Sequence, residues 1–206
     1  MLEINSQTFI CKNLYSQLEG QKLTLEALTI NSSINLMYYQ EACRYWVKCC
    51  VGMPFFKRNG KRIDPPHGRT LTFISEKAAY FAACIINSSL FYWFYSGFSD
   101  CEHVNDTLVR GFPIPESWEE DDWTRLYAEL SKNLETNATA KKIRTKQGHV
   151  IEYKEMRALL SKRYVDKIDQ VLAKHYGFSD EEMDFIINYD IKYRMGASDA
   201  EDDDGA

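Results

Sequence analysis

Seven basic side chains fall between Glu41 and Thr70: Arg44, Lys48, Lys57, Arg58, Lys61, Arg62 and Arg69. The same stretch holds two acids, Glu41 and Asp64. Such an excess of cations is chemistry for phosphate, because guanidinium and ammonium groups meet phosphate oxygens in charge-assisted hydrogen bonds. Phe55 and Phe56 flank the densest part and His67 closes it, so Lys57, Arg58, Lys61, Arg62, His67 and Arg69 are the candidate contacts to a duplex. Arg44 and Lys48, on an expected strand, are the secondary phosphate partners. A second basic run, Lys141, Lys142, Arg144 and Lys146, meets no acid before His149 and reads as a further backbone contact or a flexible loop. The competing reading of both runs is a solvated, charged surface that binds nothing.

The remaining reactive residue types are less organised. Six cysteines include the adjacent pair Cys49-Cys50 but no C-x-x-C, and no Cys/His spacing suits zinc, so packing is their expected role. Asp100, Cys101, Glu102 and His103 stand side by side, and neighbours in sequence rarely converge on one catalytic point. Asp64-Pro65-Pro66-His67 is similar to the base-holding pocket motif of amino-group DNA methyltransferases, in which a carboxylate or amide and an aromatic ring grip a flipped base. Here His67 occupies the aromatic position, Lys61-Arg62 rather than an apolar strand lead in, and no Gly-x-Gly offers a cofactor turn. An ordinary loop turn is expected, and no catalytic residue is assigned.

Composition bounds the fold that must position these groups. The chain has 206 residues, of which 45% are hydrophobic, 14% aromatic and 27% charged, which excludes disordered, collagenous and coiled-coil classes. The longest apolar stretch is interrupted by Asn87-Ser88-Ser89 and is too short for a bilayer, so no membrane span is expected. No secretory leader pattern opens the chain, which makes the cytoplasm the expected compartment. The formal net charge of -5 conceals segregation, with acids gathered at Glu116 to Asp122, Asp180 to Asp184 and Asp199 to Asp204. Ser198 to Ala206 has no apolar anchor, and residues 195–206 are expected to be a disordered acidic tail.

Patterning predicts a helix over 8–19 ending at Gly20, a helical turn over 23–28, and one or two strands in 35–51. Pro54 to Gly68, with the turn dipeptide Asn59-Gly60, should form an exposed basic loop, and Arg69 to Ser75 the returning strand. A buried helical pair follows, its second member capped from Asn87-Ser88-Ser89. Ser117 with Glu120 has capping-box spacing before the helical stripe Trp123, Leu126, Tyr127, Leu130 and Leu134. Residues 165–191 read as an αα-hairpin broken at Gly177 and recapped by Ser179 and Glu182. The expected fold class is α+β (mixed α/β): a small sheet with packed helices, then a C-terminal helical segment.

Four phrases carry a family resemblance: Tyr38 to Lys48, Ile85 to Trp93, Phe112-Pro113-Ile114-Pro115, and Ile168-Asp169 to Arg194, of which His175 to Arg194 is the most specific. They resemble the C-terminal part of large bacterial adenine-specific DNA methyltransferases, including Type IIG restriction-modification enzymes and the related methyltransferases of BREX phage-exclusion systems, with a TaqI-like specificity domain. The resemblance implies an N-terminal helix or linker over 1–20, a DNA target-recognition domain over 21–115 and a helical segment over 116–194. The partners implied are double-stranded DNA and a methyltransferase catalytic domain, in cis or in trans. The cofactor, S-adenosylmethionine, is expected in that missing domain and none in this chain, which alone is then not an enzyme. A rival reading is a protein-interaction module that docks on a methyltransferase or phage-defence partner and touches DNA little.

Overall fold

A computed structural model describes residues 2–43, 46–99 and 101–191; Arg44, Asp100 and the acidic tail lie outside the described residues. In chain order the first half contains α1 (Leu2–Glu19), β1 (Leu23–Thr24), β2 (Leu36–Gln40), β3 (Cys49–Val51), β4 (Phe56–Arg58), β5 (Lys61–Arg62) and β6 (Gly68–Thr72). Then come α2 (Glu76–Asn87), α3 (Ser89–Phe98), α4 (Asp106–Arg110) and β7 (Pro113–Ile114). The last part holds α5 (Trp123–Thr136), β8 (Thr139–Arg144), β9 (Val150–Glu155), α6 (Lys162–Tyr176) and α7 (Asp180–Asn188). Helices thus combine with small antiparallel sheets ordered β1-β7, β3-β2-β6 and β5-β4-β9-β8, an α+β fold.

The centre is the helical pair. In α2 every residue from Ala78 to Asn87 except Tyr80 is buried, and in α3 every residue from Ser89 to Tyr95. Helices apolar on all sides must be enclosed, and the neighbours supply the enclosure. Amphipathic α5 and α6 pack on one side, and α1 and α7 gather with them into one core. Aromatic rings fill the seams: Phe81 lies 5.1 Å from Trp118 and 4.8 Å from Trp123, and Phe112 sits 5.4 Å from Phe91 and 5.0 Å from Phe94. In β3-β2-β6, Met37 and Tyr39 point into the core. Tyr38, on the other face, lies across Gly68, where a Cβ would come within 2.1 Å of the phenol oxygen.

A polar knot sits inside this apolar core. The Ser88 hydroxyl caps α3 by accepting from Phe91 N–H at 3.0 Å and donates to Ile85 C=O at 2.6 Å. The Asn87 amide donates to Cys49 C=O at 3.2 Å, tying α2 to β3. Asp169 of α6 places a buried carboxylate at the start of α3, accepting from Ser89 N–H at 2.9 Å and Leu90 N–H at 3.3 Å. A carboxylate is the side chain best suited to that place, since it meets unpaired N–H groups and the positive end of a helix dipole together. Two of the phrases carrying the family resemblance are therefore the two sides of one buried contact.

Several expectations change. The turn at 23–28 is a 3₁₀ helix over Leu25–Leu28. The strands expected in 35–51 are β2 and β3, with Trp46 and Val47 buried in the connection before β3 and Lys48 outside a strand. A short helix, α4, lies between α3 and β7, capped by Asn105 on Leu108 N–H. Ser117 caps no helix: α5 starts at Trp123 with Asp122 as its cap, and Glu116–Glu120 is 3₁₀. Ser117 and Asp121 instead grip the imidazole of His175, each 2.7 Å from one ring nitrogen, bracing that segment against α6. The largest change is the basic run at 141–146, which belongs to a β-hairpin. Its strands carry the β-formers Thr139, Ile143, Val150, Ile151 and Tyr153 around a turn with Gly148 at φ +84°. Pairing of β4 with β9 joins the two sides of Pro115 in one sheet. Among the described residues no helix is long and apolar enough to cross a membrane.

Asp169→Ala leaves buried N–H groups unpaired and should lower unfolding free energy by about 3 kcal/mol in urea titration. Asp169→Asn, keeping one acceptor oxygen, should lose less.

Candidate nucleic-acid interface

The sheet β5-β4-β9-β8 is made of two hairpins from distant parts of the chain, and none of its strand residues is buried. It stands off the core on connections at 53–55, 63–67, 137–138 and 156–157. Asn59 and Gly60 adopt positive φ of 51° and 79°, the pair of left-handed residues that a tight two-residue hairpin requires. The Asn59 side chain then clasps the second hairpin. Its Oδ1 accepts from Val150 N–H at 2.8 Å, which turns its amide nitrogen toward His149 Nδ1 at 3.0 Å, while its backbone N–H donates to Val150 C=O at 2.7 Å.

Joining the hairpins concentrates charge. Between 56–62 and 139–155 lie nine basic side chains, Lys57, Arg58, Lys61, Arg62, Lys141, Lys142, Arg144, Lys146 and Lys154, against two acids, Glu152 and Glu155. Register assigns them to faces, because directly opposed residues of antiparallel strands share a side. One face carries the row Arg62, Lys57, Glu152 and Lys142, with Arg144 and Lys154 in adjoining rows. The other carries the row Lys61, Arg58, Ile151 and Ile143 beside Phe56, Tyr153 and Lys141, a partly apolar surface edged with cations.

Some of these charges are engaged. Lys142 meets Glu152 at 3.2 Å, Lys141 meets Glu155 at 3.5 Å, and Lys154 meets Glu135 of α5. Lys57 and Arg62 lie over the Phe55 ring at 5.4 and 5.2 Å, and Arg62 also donates to Pro54 C=O at 3.1 Å. Among the described residues Lys57, Arg58, Lys61, Arg62, Arg144 and Lys146 form no ion pair with an acidic side chain. On an acidic chain, that leaves a cluster of uncompensated cations on one projecting element.

The structure thus brings Lys57, Arg58, Lys61 and Arg62 together and adds the strand cations Lys141, Lys142 and Arg144 beside them. It separates Lys48, exposed just before β3, whose carbonyl accepts from Gln40 N–H at 2.9 Å. His67 is exposed with φ +57° at the start of β6. Arg69 lies on the other sheet, opposite Tyr39, with Nε donating to Glu41 at 2.5 Å and Nη1 at 3.7 Å from Asp106. The Glu41 hydrogen bond raises the already high guanidinium pKa further. Tyr39 also donates to Asp106; burial, and then that carboxylate, hold its phenol well above the ordinary range. Sequence reading finds Asn59 as a turn residue but not as the clasp on the second hairpin, a contact across 91 residues that no local pattern signals.

Burial disfavours the thiolate of both vicinal cysteines. Burial pushes the Cys50 thiol up to about 12, with Glu135 adding to the effect, and burial raises Cys49 and Cys84 as well. A raised thiol pKa favours the protonated, poorly nucleophilic form. Comparison with protein-family models, curated proteins and solved structures found no match.

Two outcomes follow. Iodoacetamide at pH 8 should label exposed Cys101 in the native protein and spare Cys49, Cys50 and Cys84, as read by peptide mass spectrometry. Asn59→Ala should accelerate amide hydrogen exchange at Val150 roughly fivefold, the loss of about 1 kcal/mol of local hydrogen bonding.

Proposed function

We propose that the chain is a DNA target-recognition module that holds a duplex for a methyltransferase catalytic domain, joined to it or separate, in a restriction-modification or phage-defence system. One observation carries the DNA part of this reading. Two hairpins distant in sequence are clasped into a projecting sheet whose nine basic side chains outnumber its two acids, although the chain as a whole is acidic. A packed core gains nothing from such a sheet, whereas a polyanion gains a preassembled row of donors. Strands can enter or flank a DNA groove, with cations meeting phosphates and shorter polar groups facing base edges. The resemblance to adenine-specific methyltransferases supports the choice of partner, and S-adenosylmethionine belongs to that partner's catalytic domain.

A second surface supports the docking part. Ile30, Ile34 and Ile74 are 47%, 98% and 55% exposed, and Ile30 and Ile74 leave adjoining backbone where Thr29 pairs with Phe73. Large aliphatic side chains held in water at one place favour a protein contact there.

The reading is tested by fluorescence anisotropy on a randomised duplex pool at two salt concentrations, with bound sequences recovered. Salt-dependent binding is expected, with replacement of Arg58, Lys61, Lys142 and Arg144 by Ala flattening the slope of log K against log salt by about 0.9 for each phosphate that is no longer neutralised. Lys174→Ala, on exposed α6 surface, should leave it unchanged. Salt-insensitive association with a catalytic subunit, without DNA binding, would replace this reading by the protein-interaction one.

A further inference from the structure

Beyond Arg194 the sequence holds no base and five acids, Asp199, Glu201, Asp202, Asp203 and Asp204, set after the uncharged residues Met195 to Ser198. Those five carboxylates equal the whole formal net charge of -5, so the rest of the chain is balanced. The same chain carries their complement, because Lys57, Arg58, Lys61, Arg144 and Lys146 form no ion pair with an acid among the described residues and all belong to the projecting sheet or its turn. The fold delivers the tail toward that sheet. The chain reverses at Gly177, at φ +73°, and α7 packs back along α6 and α3. The Tyr189 ring lies 6.3 Å from that of Tyr92, one turn beyond Ser89, whose N–H donates to Asp169 of α6. The end of α7 is therefore beside the middle of α6, on the way back to the α6 start, which the segment 156–161 joins to β9. From Asp169 the route runs about 10 Å along α6, about 15 Å along that connection and about 17 Å along β9, so even the far end of the sheet lies within about 42 Å. Fully extended, the chain beyond Ile191 reaches about 28 Å at Asp199 and about 45 Å at Asp204.

From this we infer that the acidic segment Asp199 to Asp204 docks on the basic sheet of its own chain and occupies its unpartnered cations until a stronger polyanion displaces it. Carboxylates are ligands for the same ammonium and guanidinium groups that meet phosphate. A tethered segment works at an effective concentration near the millimolar range, so contacts too weak to hold two free molecules together are populated within one chain. The tail also has the lower charge density, at most one carboxylate per about 3.5 Å of extended chain, against one phosphate per about 1.7 Å of duplex axis. DNA therefore wins the sheet, and the tail weakens its binding by competition. The inference goes beyond the nucleic-acid reading by giving the sheet an occupant in the absence of DNA, and it rests on that reading for the competitor.

The test uses the full chain and a full-length variant carrying Asp199→Asn, Glu201→Gln, Asp202→Asn, Asp203→Asn and Asp204→Asn. Carbodiimide coupling of carboxylates to lysine amines, mapped by peptide mass spectrometry at low salt without DNA, should join the wild-type tail to Lys57, Lys61 or Lys146. It should not favour Lys12, exposed on the helix α1 that packs against α7. Added duplex or high salt should suppress the sheet links. By anisotropy at low salt the neutralised variant should bind a randomised duplex at least about threefold tighter than the wild type, because a tethered competitor has been removed. That difference should vanish at high salt. A control carrying Glu116→Gln, Glu119→Gln, Glu120→Gln, Asp180→Asn and Glu181→Gln loses the same charge at exposed positions elsewhere and should tighten binding less. Links to Lys12 as abundant as links to the sheet, or equal tightening in both variants, overturn the docking. Unchanged DNA affinity in the neutralised variant, with steep salt dependence retained, also overturns it and leaves the nucleic-acid reading standing. Salt-sensitive links to the sheet, with no DNA binding by any of the proteins, support the docking and overturn the nucleic-acid reading.

Discussion

A buried carboxylate at a buried helix start is the constraint on which the rest of this protein depends. The first turn of α3 opens in the middle of the core, where no water can satisfy its N–H groups, and Asp169 and Ser88 satisfy them. Asp169 reaches them from α6, so the C-terminal helices cannot leave without exposing an unpaired charge on one side and unpaired donors on the other. Asn87 extends the knot to β3 through Cys49 C=O. Hydrophobic packing around it is extensive and tolerant of small adjustments, whereas these directional bonds set one orientation of α2, α3, α6 and β3. From that fixed frame the two connections at β3 and at the end of α5 emerge, and they carry the two hairpins toward each other.

That arrangement separates two jobs that small domains often combine. The core keeps its reactive residue types quiet: burial raises the thiols of Cys49 and Cys84, and His175 is braced between Ser117 and Asp121. The projecting sheet contains little packing and a cluster of cations that, among the described residues, have no acidic partner. Arg69, the basic residue closest to the core sheet, illustrates the boundary. It reaches two carboxylates, Glu41 and Asp106, and acts as a strut between β6, Glu41 and α4. Arg58 and Lys61, on the sheet that projects, have none among the described residues.

Legibility in the sequence followed the same division. The helix ending before Gly20, the Ser88 cap, the Asn59-Gly60 turn and the Ser179 capping box with Glu182 were all readable, because each is a local pattern whose physics is contained within a few residues. The cluster Lys57 to Arg62 was legible as charge. What escaped was non-local. Lys141-Lys142-Ile-Arg144 has too few apolar residues to look like a strand, since its stabilising partners, Ile151 and Tyr153, lie beyond a turn and belong to a sheet with both faces open. Ser117 and Glu120 have the spacing of a capping box, but the aromatic packing of Trp118 and Trp123 and the grip on His175 move the helix start to Asp122. In each case a tertiary contact outweighed a local preference.

The pairing of Asn59 with Val150 spans 91 residues of chain. Closing so long a loop costs entropy before any contact is made, and this sheet buries too little apolar surface to repay it early. The core must therefore assemble first and deliver the two hairpins to one another, making the sheet the last part to form and the first to open. A polyanion that binds only the closed sheet would pull that local equilibrium toward order. Binding by such a polyanion and the final step of folding would then be one thermodynamic event, and the sheet would take part of its stability from it.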